Sequence, residues 1–219
     1  MKSKKKFDWQ IWLDKPEEVE GSFKFYLKKE MIKKEEETKF LPISHLKKAE
    51  YNLKFANFLT NEKRFYDWII VGCCYTIYRS ALALITKKGF SSKNHLATLC
   101  ALIKFYYTQE KANSREDTSK PKKIIRNFLG PENQEGFLGK PLGVVDEEKE
   151  KTLTKEEIEL VSISSLEKEE VSYFAQAKEK RETASYGLSE EFNKIEAEDL
   201  LKKTIQFLNK CREILEDKR

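Results

Sequence analysis

The residues with the clearest capacity for acid–base or anion chemistry lie around two histidines. His45 and His95 are the only imidazoles in the chain, so any mechanism that needs a histidine near neutral pH has to use one of them. His95 follows two serines, Lys93 and Asn94 at the predicted start of a helix, and helix N-termini attract anions. Two interpretations stay open: these polar residues only cap the helix, or they form a corner that contacts phosphate.

Arg181 and Tyr186 form a second polar cluster near the end of another predicted helix. They are five residues apart, so they project from different faces unless the helix ends or distorts between them. Gly187, a residue typical of helix ends, favours such an end. One interpretation is that Arg181 only pairs with a carboxylate, such as Glu182 of a neighbour or Asp67, while Tyr186 packs as a core aromatic residue. The other is that both contact a ligand.

Most catalytic and cofactor motifs are absent from the sequence. There is no glycine-rich phosphate loop followed by Lys-Ser or Lys-Thr, no paired-histidine metalloprotease helix and no serine elbow between glycines. The cysteines lack the spacing of a zinc site, since only Cys73 and Cys74 are close together. We therefore expect no metal and no cofactor, and free buried cysteines in a reducing compartment.

The composition is typical of a helical protein. Of 219 residues, 36% are charged and only 13 are Gly or Pro, too few for the frequent turns of sandwiches and barrels. The N-terminal lysines precede Phe7 rather than a long apolar run, so no signal peptide is predicted and the expected location is the cytoplasm. Arg79 is the only formal charge in residues 68–86, and a central helix enclosed by neighbours is favoured over a membrane span.

The predicted fold class is all-α, an antiparallel bundle of four or five helices. Residues 1–42 are expected to form an N-terminal extension, because their apolar residues are too sparse to define a core face. Residues 43–219 are expected to form the bundle, interrupted at about 112–153 by a loop or insertion that includes the Pro/Gly-rich segment 121–143. Helices are expected at about residues 46–61, 64–88, 95–110, 165–186 and 189–215, with a short one from residue 154.

Small residues on the second of these helices predict a close helix contact. Gly72, Thr76, Ser80 and Ala83 are three or four residues apart and share one stripe. Another backbone can approach such a stripe closely. The neighbour is either a helix of the same bundle or a second protomer.

Charge is unevenly distributed along the chain. Residues 51–145 carry 15 basic and 7 acidic side chains, whereas residues 146–219 carry 14 basic and 20 acidic ones. The basic part, notably Lys122, Lys123 and Arg126, is a candidate surface for a nucleic acid. Complementarity between the two parts of the chain, or solubility alone, explains the same pattern.

These motifs, in this order around one apolar helix, resemble the HEPN domain proteins, particularly a small archaeal and bacterial branch with a Tyr-rich central helix. The resemblance covers about residues 44–110 and 165–215. It rests on four stretches, residues 65–68 (FYDW), 73–84 (CCYTIYRSALAL), 89–95 (GFSSKNH) and 181–186 (RETASY).

The resemblance implies an antiparallel helical bundle, a homodimer and a nucleotidyltransferase partner in a toxin–antitoxin or defence system. Many members of the family are ribonucleases that need no metal, and their active site is an Arg followed after four to six residues by a His. In that chemistry the Arg stabilises charge on the phosphorane while the His moves the proton of the RNA 2′-hydroxyl.

This chain departs from that pattern at two positions. Tyr186 stands where the His would be, and residues 181–186 match instead the Arg-x-x-Ala-x-Tyr pattern of one branch of the family. Arg79 also stands where similar sequences have a His. A phenol with a pKa of ~10 is a poor base at neutral pH. His95 would therefore have to reach Arg181 from another helix or from the other protomer.

The sequence thus predicts a HEPN-like module that associates with RNA or a nucleotide and not with a membrane. Arg181 and Lys93 are expected to contact phosphate, and Tyr186 to donate a hydrogen bond or stack. Arg79 is expected to line the site or to neutralise a carboxylate. One alternative is a metal-independent endoribonuclease with Arg181 and His95 as catalytic residues. Another is a non-catalytic helical bundle that binds a protein partner.

Overall fold

The computed structural model describes residues 8–35, 40–107, 165–186 and 192–216. The chain divides into two units, one made of residues 1–108 and 163–219 and the other of residues 109–162. All described residues belong to the first unit. The predicted insertion at 112–153, its Pro/Gly-rich segment 121–143 and the predicted helix from residue 154 lie outside the described residues.

Seven helices and one small sheet make up the described part of the chain, which confirms the mostly helical character predicted from the sequence. The helices are α1 (Ile11–Asp14), α2 (Pro16–Lys28), α3 (Phe40–Asn61), α4 (Tyr66–Lys87), α5 (His95–Tyr106), α6 (Lys168–Tyr186) and α7 (Lys194–Glu216). The strands are β1 (Ile32–Lys34) and β2 (Phe90–Ser92). Helices α3 to α7 correspond to the five long helices expected from the sequence, with ends that differ by a few residues.

Helix α4 lies at the centre of the described fold because it is apolar almost all the way round. Fifteen of its residues are buried, and α3, α5, α6 and α7 all contact it. It is the one described helix that is long and apolar enough to cross a membrane, and 83% of its most apolar stretch is buried inside the protein. Its apolar surface is covered by neighbouring helices, as the sequence predicted.

Gly72 allows α3 to approach α4 closely. A Cβ atom at this position would lie 3.2 Å from the Cβ of Ala56 and 3.6 Å from the carbonyl oxygen of Asn52, both on α3. Thr76 and Ser80 on the same stripe are buried, and their hydroxyls each donate to a backbone carbonyl four residues earlier at 2.9 Å. At Gly72, therefore, the close neighbour is a helix of the same chain.

The N-terminal segment contributes to the common core. Trp12, Leu13 and Phe23 are buried in the same apolar cluster as residues of α4 and α7, and Nε1 of Trp12 donates to Oγ of Ser22 at 3.0 Å. The expected end of the extension, residue 42, falls inside α3. The contribution of this segment to the core could not be predicted from the sequence, because its apolar residues belong to several short elements. No single helical period runs through them.

A two-stranded antiparallel sheet joins the N-terminal segment to the region before α5, and the sequence did not predict it. Ile32 pairs with Ser92, and Lys34 with Phe90. Each strand has only three residues, too few for an alternating pattern to be recognised. Gly89, just before β2, has a φ of +75°, the left-handed conformation expected at this helix end.

Candidate nucleic-acid interface

His95 begins α5, and its imidazole contacts two further helices. Asn94 caps α5, since its Oδ1 accepts a hydrogen bond from the backbone N–H of Ala97 at 3.0 Å. The imidazole stacks on the ring of Tyr78 from α4, with the centroids 4.1 Å apart and the planes 16° from parallel. The ring centroid of Phe174, on α6, lies 6.3 Å away. The capping interpretation of Asn94 is therefore confirmed, and His95 is only partly exposed.

The serines before His95 are engaged within the protein. The hydroxyl of Ser91 donates to the carboxylate of Glu35, and that of Ser92 donates to the carbonyl of Asn94 at 3.1 Å. Lys93 is exposed and forms no ion pair with any residue in the described ranges. Of the residues expected to form a phosphate-contacting corner, Lys93 is the one whose charge is available to an anion.

The pKa of His95 is lowered to about 4. Burial is the largest cause, the positive charges of Arg181 and Lys178 on α6 add to it, and the carboxylate of Glu182 opposes it. The Nε2 atom of His95 is buried and has no hydrogen-bond partner in the described part of the chain. At neutral pH the imidazole is therefore uncharged. Its buried Nε2 atom lacks the hydrogen bond that buried polar atoms usually have.

Arg181 lies close enough to His95 for its charge to lower the pKa of the imidazole. The guanidinium carbon of Arg181 is 6.0 Å from the ring centroid of Tyr75 on α4 and 5.5 Å from that of Tyr186. Its Nε atom is buried without a hydrogen-bond partner among the described residues. The structure thus brings Arg181, Tyr186 and His95 into one neighbourhood within a single protomer.

Arg79 is a second cation near this site, and it belongs to α4, whereas Arg181 belongs to α6. Its Nη1 lies 3.4 Å from Nδ1 of His45 on α3, and burial followed by the charge of Arg79 lowers the pKa of His45. Arg79 comes one helical turn after Tyr75. Tyr75 therefore neighbours one arginine along α4 and another, Arg181, on α6.

Neither Arg79 nor Arg181 has a carboxylate partner within the described ranges. The other two arginines found there, Arg64 and Arg212, each pair with a glutamate, at 3.4 and 2.8 Å respectively. Both unpaired arginines are only partly exposed. Within the described ranges, both guanidinium groups therefore have hydrogen-bonding capacity that no carboxylate uses.

The carboxylate that the sequence suggested as an arginine partner is used elsewhere. Asp67 accepts a hydrogen bond from the backbone N–H of Phe192 at 3.1 Å, just before α7 begins. Asp67 thus ties the start of α4 to the start of α7. Asp67 forms no ion pair with Arg79 or Arg181 in the part of the chain that the structure describes.

Other predicted site residues are placed as follows. Tyr186 is the last residue of α6 and is 72% exposed, so its ring and hydroxyl are accessible to a ligand. Lys122, Lys123 and Arg126 lie outside the described residues, and their role stays a prediction.

Among the residues that the structure describes, no group of three His, Cys, Asp or Glu side chains could hold a metal ion.

Sequence reasoning did not select Tyr75, Tyr78 or Lys178 as members of the site. Two of them carried a usable signal, because Tyr75 is four residues before Arg79 and Lys178 is three residues before Arg181, spacings that place each pair on one helix face. Tyr78 carried none, since its contact with the imidazole joins two different helices.

The described part of the protein is mostly helical. Cationic and aromatic side chains of α4 and α6 form a cluster beside its central helix. No protein-family model matches the chain, and no curated protein or solved structure matches it either.

Proposed function

We propose that this protein is a HEPN-like helical bundle that binds single-stranded RNA through Arg79 and Arg181. The observation that carries the proposal is a pair of partly buried guanidinium groups without a carboxylate partner in the described ranges. Arg79 lies one turn of α4 after Tyr75 and contacts His45, and Arg181 lies against the Tyr75 ring. Burying a charge without a counter-charge is costly unless a ligand supplies one. A phosphate fits this requirement because it accepts two parallel hydrogen bonds from a guanidinium group.

Tyr75 and Tyr186 give the cluster the second feature of an RNA-binding surface. Tyr75 is 37% exposed and Tyr186 is 72% exposed, and both rings lie near the guanidinium group of Arg181. Unpaired bases stack on aromatic side chains, and arginines bind the phosphates between them. This combination favours a single strand over a duplex, whose bases are already stacked and paired.

Fluorescence anisotropy with a labelled single-stranded RNA of mixed sequence tests this proposal. We expect Arg79→Ala and Arg181→Ala each to weaken binding about tenfold, because each removes a charged hydrogen-bond donor. The slope of log affinity against log salt should also fall by about 0.7 for each phosphate contact that is lost.

Lys24→Ala is the matched control for both arginine variants. Lys24 is an exposed cation on α2, so its removal lowers the net charge by the same amount and should leave the affinity unchanged. If the Arg181→Ala protein keeps full stability and binds RNA as tightly as the unaltered protein, the proposal is wrong.

A metal-independent endoribonuclease is a second candidate, favoured by the closeness of His95 to Arg181 within one chain. In such a reaction the neutral imidazole accepts the proton of the 2′-hydroxyl and the 2′-oxygen attacks phosphorus. The 5′-oxygen of the next nucleotide leaves and takes a proton from water, and the imidazolium returns its proton to solvent. Arg181 would stabilise the charge that builds on the phosphoryl oxygens. Binding without cleavage has the stronger support, because Nε2 of His95 is buried.

Incubation with a mixed RNA pool in EDTA, followed by detection of 2′,3′-cyclic phosphate ends, separates the two candidates. Cyclic ends that disappear in both His95→Ala and Arg181→Ala would establish cleavage by these residues. RNA binding without new cyclic ends would leave the binding function alone.

We further propose a homodimer with a nucleotidyltransferase partner, because the same HEPN resemblance implies both. Size-exclusion chromatography with light scattering should give twice the chain mass of 25.8 kDa. A mass equal to that of one chain at micromolar concentration would contradict the dimer. Co-purification with a co-expressed nucleotidyltransferase tests the partner.

A further inference from the structure

The cluster around Arg79 continues along α4 towards a second aromatic position. Trp68, Tyr75 and Arg79 are seven and four residues apart, so they lie on one strip of the helix. Trp68 is 57% exposed and Tyr75 is 37% exposed, although most of α4 is buried. At 1.5 Å per residue the strip is about 16 Å long.

An apolar pocket of about 350 Å³ lies at the Trp68 end of this strip. Phe55 and Leu59 of α3 line it together with Phe65 and Trp68. Phe65 has a φ of 61°, a left-handed conformation that is unfavourable for a bulky residue, and its side chain is 56% exposed. The pocket is a shallow, open depression, and its three aromatic side chains give an apolar surface on which one planar group can stack.

The charged groups next to the pocket favour an anionic chain. Lys54, Lys63 and Arg64 are exposed and adjoin its lining residues in the sequence. The guanidinium carbon of Arg64 lies 5.2 Å from the ring centroid of Phe65, and Glu62 is 3.4 Å from the same guanidinium group. Arg64 is thus paired with Glu62, and Lys54 and Lys63 supply the positive charge at this end of the strip, while Arg79 supplies it at the other. Cations at both ends with aromatic rings between them are typical of grooves that bind a single strand.

We propose that one RNA strand lies along this strip and places a base in the pocket that Phe65 and Trp68 line. The inference rests on the proposed function, because phosphates are held by Arg79 at the other end of the strip and by Arg181 beside Tyr75. A stacked strand advances about 3.4 Å per nucleotide, so the strip accommodates about five nucleotides. The ligand of this surface is thus a single-stranded oligonucleotide, and the pocket adds affinity only when the strand is long enough to reach it.

Anisotropy titrations of the full chain with labelled oligoadenylates of two, four, six and eight nucleotides test this inference. We expect affinity to rise with length up to about six nucleotides and then to level off. Trp68→Ala should weaken binding of the eight-nucleotide RNA about tenfold, because one stacked base is lost. The same variant should leave binding of the dinucleotide unchanged, whereas Arg181→Ala should weaken both.

Two further variants control for side effects of the Trp68 substitution. Phe25→Ala removes an equally exposed aromatic side chain from α2, outside this pocket, and should not change binding at any length. Trp68→Phe keeps an aromatic ring and should retain most of the affinity. Circular dichroism confirms that each variant is folded.

The outcomes separate this inference from the function on which it rests. If Trp68→Ala changes no affinity, or weakens the dinucleotide and the octanucleotide equally, the pocket does not hold a base, and an apolar group of a protein partner becomes its better occupant. The effect of Arg181→Ala would still support RNA binding in that case. If the unaltered protein binds none of the RNAs, both proposals are wrong.

Discussion

The imidazole of His95 stacks on the ring of Tyr78, with the centroids 4.1 Å apart and the planes 16° from parallel. This contact joins the first residue of α5 to the middle of α4, and the Tyr78 hydroxyl reinforces it by donating to the carbonyl of Ser92 at 3.2 Å. Burial in this stack and the nearby charge of Arg181 lower the pKa of His95 to about 4. The protonation of one site residue is therefore coupled to the stability of the fold.

Stability should decrease with acid in a way that depends on His95. Its folded-state pKa of about 4 is below the ~6.5 of an unfolded chain, so the unfolded state binds the proton more tightly. The free energy of unfolding should therefore fall as pH drops from about 6.5 to about 4, by up to about 1.4 kcal/mol per pH unit. The stabilisation that comes from keeping His95 uncharged is therefore fully present above pH ~6.5 and lost below about pH 4.

Urea denaturation across this pH range, compared with that of His95→Gln, measures the effect. The variant lacks the titrating imidazole but keeps all the carboxylates, so the difference between the two proteins isolates His95. Identical pH dependence in both would show that the imidazole does not titrate differently in the folded and unfolded states.

Trp12 provides a test of the N-terminal segment as part of the core. Its side chain is 2% exposed, and its Nε1 donates to Ser22. Trp12→Ala should lower the free energy of unfolding by about 3–5 kcal/mol, whereas Phe25→Ala, at a position 53% exposed, should change it by about 0.5 kcal/mol or less. Chemical denaturation followed by circular dichroism compares them. A cost below about 1 kcal/mol for Trp12→Ala would separate this segment from the cooperative core.

Gly21 and Gly72 should respond differently to alanine. A Cβ at Gly21 on α2 meets nothing within 4 Å, so Gly21→Ala should stabilise the protein by roughly 0.5–1 kcal/mol through helix propensity. At Gly72 the added Cβ lies 3.2 Å from the Cβ of Ala56, so the contact between α3 and α4 must adjust. Gly72→Ala should bring no gain, and Gly72→Leu should cost about 2 kcal/mol. Urea midpoints measure both, and equal stabilisation by alanine at the two positions would argue against this close contact.

The four cysteines should be unreactive in the native protein. Cys73, Cys74, Cys100 and Cys211 are all buried, and burial raises the pKa of the first three to about 12. At pH 8 the thiolate fraction of such a group is on the order of 10⁻⁴. Ellman's reagent should label four thiols in urea and almost none in buffer within minutes. Fast labelling of protein that keeps its helical circular dichroism would contradict the burial.

The long helices could be predicted from the sequence because each carries its own local signals. Apolar residues recur at helical spacing through α3 and α7, Gly89 marks the end of α4, and Asn94 marks the start of α5. The short elements α1, β1 and β2 could not be predicted in this way. They have three or four residues each, and their apolar side chains form a face only when they pack together.

The residue types of the site were evident in the sequence, but their partners were not. His95 is one of two imidazoles in the chain, and Arg79 is the one charge in residues 68–86. Arg181 and Tyr186 belong to the motif at residues 181–186. That Arg181 lies beside Tyr75, or that Arg79 meets an imidazole of α3 instead of a carboxylate, follows only from the packing of α3 and α6 against α4. Helical periodicity determines which face of each helix is apolar, whereas ion pairing and the pKa of a buried group depend on distances between helices, and those distances exist only in the folded chain.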